Sequence, residues 1–238
     1  MKLLIALITF NRLKYTQQTI ENLKRTIKGD YHLVIVDNAS TDGSLEWLKS
    51  QGLHLIQNVE NFYPGRATNI GWTNGLLNYH DATHLMRLDN DMDFVDGWDT
   101  LAKGYFDKMP PLGQLGLDNS ALESWNGDKR YLTTINGKTV NSWPGNVGGP
   151  CIIRREVYDL GARYDETPWV DLRVDKNAMI TPQEDVKFSL SMHNYGFIYG
   201  HPTDKLAWTF ATSDRWNEYP EYYKKTFKER GYDFDVSG

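Results

Sequence analysis

The chain has 238 residues, of which 40% are hydrophobic and 24% charged, and a formal net charge of −5. That composition fits one soluble α/β domain, or a domain with an appendage, and its acidic balance argues against duplex nucleic acid as the main partner. No apolar run reaches the ~18 residues of a membrane span, and the one cysteine, Cys151, permits neither an internal disulfide nor a Cys-based zinc site.

The single thiol fits a reducing cytoplasm, the expected location, and Met1 to Phe10 reads as a first strand, since a signal peptide would need a longer apolar stretch and a cleavage site. Leu3 to Phe10 reads as a buried strand, and Asn11 as the cap of a helix carrying Leu13, Gln17, Ile20, Leu23, Lys24 and Ile27, stopped by Gly29-Asp30. His32 to Val36 is a second strand, Asp37 to Gly43 a polar loop, Ser44 to Ser50 a helix and Leu53 to Gln57 a third strand. Asn61 to Gly65 reads as a turn, Ala67 to Tyr79 as a helix, and His84 to Leu88 as a fourth strand ending in Asp89-Asn90-Asp91-Met92-Asp93. Four alternations of strand and helix predict βαβ units and a parallel sheet, whose ligands bind beyond the carboxyl ends of the strands.

The second half is less regular. Asn136-Gly137 predicts a two-residue hairpin turn between Tyr131–Ile135 and Lys138–Asn141. Trp143 to Pro150 is a glycine-rich loop, and Cys151 sits in a CIIRR stretch that reads as a buried strand, which makes it a small apolar filler. Helices are expected at Glu156 to Leu160 and Glu184 to Asn194, strands at Phe197 to Gly200 and Leu206 to Phe210, and weak helix after Arg215. Aromatic residues make up 13% of the chain, with many Trp and Tyr after Trp143; exposed ones stack on sugar rings and bases.

Asp89, Asp91 and Asp93 alternate along what reads as the end of one strand, so three carboxylates point to one side. Their mutual repulsion is relieved by a divalent cation, and carboxylate oxygens suit Mg²⁺ or Mn²⁺; the plain alternative is a solvated acidic turn. Asp37 can accept a hydrogen bond from a base or ribose, or make Asx turns with Ser40 and Asp42. Arg66 opens a helix and can reach a phosphate or an Asp. Glu184 and Asp185 begin a helix, as favourable charges at its dipole or as a general base for an acceptor hydroxyl. His201, after a strand and before Pro202, is a candidate metal or phosphate ligand.

In order, ALITFNR (6–12), VIVDNASTDGS (34–44), NFYPGRATNIGWTNG (61–75), MRLDNDMDF (86–94), GGPCIIRREVYDLGARYDE (148–166) and QEDVKFSLSMHNYGF (183–197) resemble the inverting glycosyltransferases of family 2 with the GT-A fold. The resemblance covers roughly residues 3–200. It implies a Rossmann-like, mostly parallel sheet in a single domain, with residues 1–95 binding a nucleotide-diphosphate sugar and 96–238 the acceptor. It further implies that Asp37 holds the nucleobase or ribose, and that Thr9, Asn11, Arg66 and Asn69 line the nucleotide side. Asp89 and Asp91 match the D-x-D motif for Mn²⁺ or Mg²⁺, with Asp91 the direct ligand, and Asp185 matches the catalytic base beside Glu184. Two features depart from the pattern: ITFNR lacks the proline many members carry, and Asp93 adds a third acid. The chain lacks the QxxRW motif of processive synthases, which argues against polymer extrusion.

The expected reaction is inverting transfer of a sugar to an acceptor hydroxyl on a saccharide, or on a protein or modified nucleic-acid base. A nucleotidyltransferase would carry a glycine-rich basic loop where FNRLK stands, and a non-catalytic nucleotide- or glycan-binding module would not need intact D-x-D and ED segments.

Overall fold

The computed structural model describes residues 1–118, 131–142, 148–166 and 184–229. Its centre is a nine-stranded sheet in the order β3-β2-β1-β4-β9-β6-β10-β8-β7. The parallel half is β1 (Leu3–Thr9), β2 (Tyr31–Asp37), β3 (His54–Gln57) and β4 (His84–Asp89). The chain runs outward from β1 to β3 and then returns to the other side of β1 as β4. That reversal opens a crevice at the carboxyl ends of β1 and β4, where open α/β sheets bind ligands.

The second half completes the sheet with β6 (Leu112–Gly116), β7 (Leu132–Ile135), β8 (Lys138–Asn141), β9 (Cys151–Arg154) and β10 (Ile198–Pro202). Strand β9 runs antiparallel between β4 and β6, and β10 pairs parallel with β6. The β7–β8 turn is at Asn136-Gly137, with φ of 48° and 77°, the conformation a two-residue hairpin requires. Among the described residues no helix is long and apolar enough to cross a membrane.

Strand β1 is buried on both faces, and its alternation divides the core. Leu3, Ile5 and Leu7 join α1 (Leu13–Thr26), α2 (Ser44–Ser50) and α4 (Trp98–Lys108) through Ile20, Leu23, Leu48, Trp98 and Phe106. Leu4, Ala6 and Ile8 join α3 (Tyr63–Asn78), α5 (Arg155–Asp159) and α6 (Glu184–Ser191) through Trp72, Val157 and Phe188. Helix α3 lies close to the sheet because Gly71 and Gly75, one turn apart, face it. A Cβ on Gly71 would stand 2.8 Å from the Ala6 Cβ, and one on Gly75 2.8 Å from Leu4.

Several expectations need correction. Asn11 does not cap α1: its Oδ1 accepts from the Thr41 amide at 2.8 Å, and the Leu13 amide is instead satisfied by Asp42 Oδ2 at 2.9 Å. The buried stripe of α1 is Tyr15, Thr16, Thr19, Ile20, Leu23 and Thr26, and Lys24 is exposed. Threonines tolerate that burial because they have partners; the Thr19 hydroxyl accepts from the Met92 amide at 3.0 Å. Helix α3 begins at Tyr63, inside the expected turn, and α6 ends at Ser191, continuing as a 3-10 turn over Met192–Tyr195. The acidic run is not one strand. It leaves β4 at Asp89, turns at Asn90 and Asp91, and enters β5 (Met92–Phe94), which pairs with β11 (Ala207–Thr209) in a separate two-stranded sheet. A 3-10 turn, Ser213–Glu218, then leads into α7 (Pro220–Glu229).

Candidate active site

A cavity of about 450 Å³ opens at the crevice between β1 and β4. Ile8, Phe10 and Arg12 supply one wall, and Asp89, Asn90 and Asp91 the next. Gly148, Gly149, Glu184 and Asp185 approach from the second half, while Trp216, Tyr222 and Tyr223 close the side nearest α7. The segment 167–183, which precedes Glu184, and residues 143–147 of the expected glycine-rich loop lie outside the described residues.

Each acid at the D-x-D turn is held by an arginine. Arg12 Nη1 donates to Asp91 Oδ2 at 2.9 Å, and Arg87 Nε donates to Asp89 Oδ1 at 3.3 Å. Arg87 is buried in β4 and also donates from Nη1 to Glu184 Oε1 at 3.3 Å, so one guanidinium ties the D-x-D turn to the start of α6. The Glu184 side chain is 3% exposed, and its Oε2 has no hydrogen-bond partner. Burial raises the pKa of Glu184, with Arg87 opposing; burial likewise raises Asp91, with Arg12 opposing. Asp185 lines the cavity, and its Oδ1 accepts from the Val186 amide at 2.8 Å.

Asn90 is the hub beneath this turn. Its Nδ2 donates to Thr9 Oγ1, Thr16 Oγ1 and the Asn11 carbonyl, and its Oδ1 accepts from Arg12. Gly149 fits because it has no side chain: a Cβ there would collide with the Asp89 carboxylate and stand 2.9 Å from Arg87 Nε.

A family model described as "Glycosyl transferase family 2" matches residues 4–161, a span holding every element from β1 to α5 and the D-x-D turn. The chain belongs to glycosyl transferase family 2. Solved structures agree on the GT-A architecture. The mannosyltransferase PcManGT from Pyrobaculum calidifontis, in complex with GDP-Man and Mn²⁺, is similar with a TM-score of 0.62 at 16% identity, over 88% of this chain and 57% of that one. TarS 1-349 from S. aureus in complex with UDP-GlcNAc gives 0.60 at 16% identity, over 88% and 58%. GalNAc-T7 with UDP, GalNAc and Mn²⁺ gives 0.57 at 15% identity, over 99% and 52%. The chain thus spans little more than half the length of these structures. No curated protein matches it.

Within the family 2 fold the expected site residues separate into two groups. Asp89, Asp91, Glu184 and Asp185 meet at the cavity. The others do not line it. Thr9 is fully buried and bonded to Thr16 Oγ1 at 2.9 Å, supporting the Asn90 hub. Asn11 ties the first loop to Ser40 and Thr41. Asp37 is buried at the end of β2, next to Asn38 of the cavity wall; its Oδ2 accepts from the Ser40 amide at 3.0 Å, and its Oδ1 has no hydrogen-bond partner. Asn69 clasps the 164–166 segment, donating to the Tyr164 carbonyl at 3.0 Å and to Glu166 at 2.9 Å. Arg66 stacks on Phe62 at 3.7 Å.

Asp93 is a correction to the idea of three converging carboxylates. With β5 in a different sheet, its Oδ1 pairs with Arg25 at 3.2 Å, away from the cavity. His201 is also elsewhere, buried in β10 against Asn141 of β8. Cys151 is buried between Gln114 and Tyr164, with burial raising its pKa, as expected of a filler.

Among the described residues no three His, Cys, Asp or Glu side chains cluster as a ready-made metal cage. Asp89 and Asp91 nonetheless fit a hard divalent cation: they are oxygen donors on one turn at a cavity, and both carboxylates are partly exposed. Mg²⁺ and Mn²⁺ commonly take one or two carboxylates and complete their shell with water and phosphate oxygens.

Sequence reasoning missed Arg12, Arg87 and the aromatic wall. Arg87 had a readable signal, a cation inside the apolar run LMRL, because a charge buried in a strand must be paired. The positions of Tyr222 and Tyr223 had none; only the fold brings α7 back to Phe10 and Arg12, just past β1.

Proposed function

We propose that this chain is a metal-dependent glycosyltransferase that moves a sugar from a nucleotide-diphosphate donor to an acceptor hydroxyl with inversion. The observation that carries this reading is the meeting of Asp89 and Asp91, from the first half, with Asp185, from the second, at one cavity on the sheet's switch point. Residues 1–95 form the donor-binding half and 96–238 the acceptor half.

Asp89 and Asp91 would hold Mn²⁺ or Mg²⁺, which, when bound, offsets charge on the donor diphosphate and on the leaving nucleoside diphosphate. Asp93 and His201, directed to other partners, stand outside the ligand set. Asp37, fully buried at the end of β2 beside Asn38 of the wall, would reach the ribose or base only if the Asp37–Ser40 turn opens, and otherwise braces that wall. Thr9, Asn11 and Asn69 act by supporting the walls.

Asp185 takes the proton from the acceptor hydroxyl. The acceptor oxygen attacks the anomeric carbon from the face opposite the phosphate, and the carbon–oxygen bond to the phosphate breaks with its electron pair leaving on the diphosphate. An α-linked donor therefore gives a β-linked product. Tyr63, Trp216 and Tyr222 at the cavity suit an acceptor or donor ring by stacking, which favours a saccharide acceptor over other hydroxyls.

The test is a donor panel with Mn²⁺ or Mg²⁺, read by nucleoside diphosphate release and by ligand-induced melting shifts. A bound donor at a hundredfold over Kd stabilises the fold by about 2.7 kcal/mol. If no nucleotide sugar binds or turns over under these conditions, the reading fails.

A further inference from the structure

We propose that Arg12 is a diphosphate-binding residue paired with the metal ligand: it holds Asp91 until a cation takes that carboxylate, and then passes to the donor's diphosphate. The proposal rests on the metal-dependent reading above and adds a step and a residue to it.

The argument begins in the backbone. Asn11 and Arg12 are consecutive non-glycine residues with φ of 54° and 60°. Asparagine adopts this conformation readily, but arginine holds it at a cost that its surroundings must offset. Here three bonds do so, from the Asn11 amide to Ser40 Oγ at 2.8 Å, from the Thr41 amide to Asn11 Oδ1 at 2.8 Å, and from the Leu13 amide to Asp42 Oδ2 at 2.9 Å. The turn lays the Arg12 side chain across the end of β4, where it lines the cavity and is 8% exposed.

Its hydrogen bonding is incomplete. A guanidinium has five N–H donors in a planar fork. Nη1 serves Asp91 and Nη2 serves Asn90, while the buried Nε has no hydrogen-bond partner. Tyr222 of α7 stacks on the group with its ring centre 4.5 Å from Cζ. A flat cation held against a ring, lining a cavity and with a donor to spare, is suited to bidentate contact with phosphate.

The exchange follows from charge. Asp91 is the acid through which a cation and Arg12 compete. A cation arriving alone must displace Arg12 and leave a buried guanidinium without its counter-ion. A cation arriving with a diphosphate supplies that counter-ion, so the two ligands bind cooperatively. Asn90, tied to Thr9, Thr16 and Asn11, stays in place and serves as the pivot.

The experiment titrates Mn²⁺ into the full chain, alone and with UDP or GDP, for the parent, R12M, R12K and D91N, following free Mn²⁺ by electron paramagnetic resonance and folding by melting. R12M should bind Mn²⁺ alone about tenfold more tightly than the parent, and the cooperativity between Mn²⁺ and nucleoside diphosphate should largely vanish. Its nucleoside diphosphate affinity should drop roughly tenfold to a hundredfold. R12K keeps the charge on Asp91 but lacks the fork. It should leave Mn²⁺ binding near the parent's and still weaken the diphosphate, which carries the test if R12M does not fold. Unchanged diphosphate affinity in R12K, or in a folded R12M, overturns the proposal. A parent that binds neither UDP nor GDP with Mn²⁺, or a D91N that binds Mn²⁺ like the parent, overturns the metal-dependent reading and the proposal with it.

Discussion

Replacing Arg87 by Met tests the link between the D-x-D turn and α6. The substitution keeps an unbranched side chain of similar reach and removes the guanidinium that now serves Asp89 and Glu184. Asp89 can turn to water, since its side chain is 31% exposed, but Glu184, at 3%, cannot. Its Oε2 already has no partner, and loss of Arg87 strips Oε1 as well. Breaking a buried pair by removing one member costs about 3–5 kcal/mol. For a chain of this size that lowers the melting temperature by about 6–20 °C. The double variant R87M/E184Q removes the stranded charge and should regain most of the loss. The deficit should also depend on pH. Burial raises the Glu184 pKa, with Arg87 opposing, and without Arg87 it rises further. A carboxyl whose folded pKa lies above its unfolded value lends stability that is fully present below the unfolded pKa and lost as pH rises through the folded one. The R87M deficit should therefore be smaller at about pH 5 than at about pH 8, measured by urea unfolding of parent and variants. A deficit under ~1 kcal/mol, or a double variant no more stable than R87M, would refute the reasoning.

Asp185→Asn should melt near the parent and bind donor normally, because Asn also suits a helix start, yet lose about 10²–10⁴ of transfer rate; near-parent turnover would reduce Asp185 to a cap. Asp91→Asn should weaken Mn²⁺ binding and metal-dependent donor binding with the fold intact, as calorimetric titration would show. Gly149→Ala drives a methyl into the Asp89 carboxylate and the Arg87 guanidinium, and should lower Mn²⁺-dependent donor affinity more than stability. Gly71→Ala places a methyl 2.8 Å from the Ala6 Cβ and should destabilise by about 1–3 kcal/mol through overpacking, despite the gain in helix propensity; a more stable variant would show that α3 can shift away from the sheet.

The parallel half of the fold was legible because each of its elements has a local signature. β1, β2 and β4 are apolar runs, α2 lies at Ser44–Ser50 where expected, and Asn136-Gly137 forms its hairpin. The unread elements lacked one or were rewritten by tertiary partners. Helix α4 and strand β6 went unassigned: in TLAKGYFDKM one glycine and two lysines blur a face that is buried through Trp98, Ala102, Tyr105 and Phe106. The α1 stripe was misplaced because apolarity was used as the marker, whereas its buried face includes Thr16 and Thr19, which meet the polar demands of Asn90 and the Met92 amide, and Thr26, whose hydroxyl donates to the Asn22 carbonyl.

The same distinction explains the site. Residues at the carboxyl ends of strands could be placed from topology alone, and Asp89 and Asp91 do reach the cavity. Asp93 followed from treating 89–93 as one pleated strand, and the period of two fails once the chain turns at Asn90 into another sheet. Acidity was the visible signal of the turn at Asp89 to Asp93 and of Glu184-Asp185. Yet Asp91 and Glu184 are too buried to stand alone, and burial of carboxylates implies cations nearby. Arg12 and Arg87 are those cations, each within a segment already singled out for its neighbours. In this cleft the two arginines neutralise the acids that line it, so on the proposed reading they also set how strongly a metal or phosphate must compete to enter.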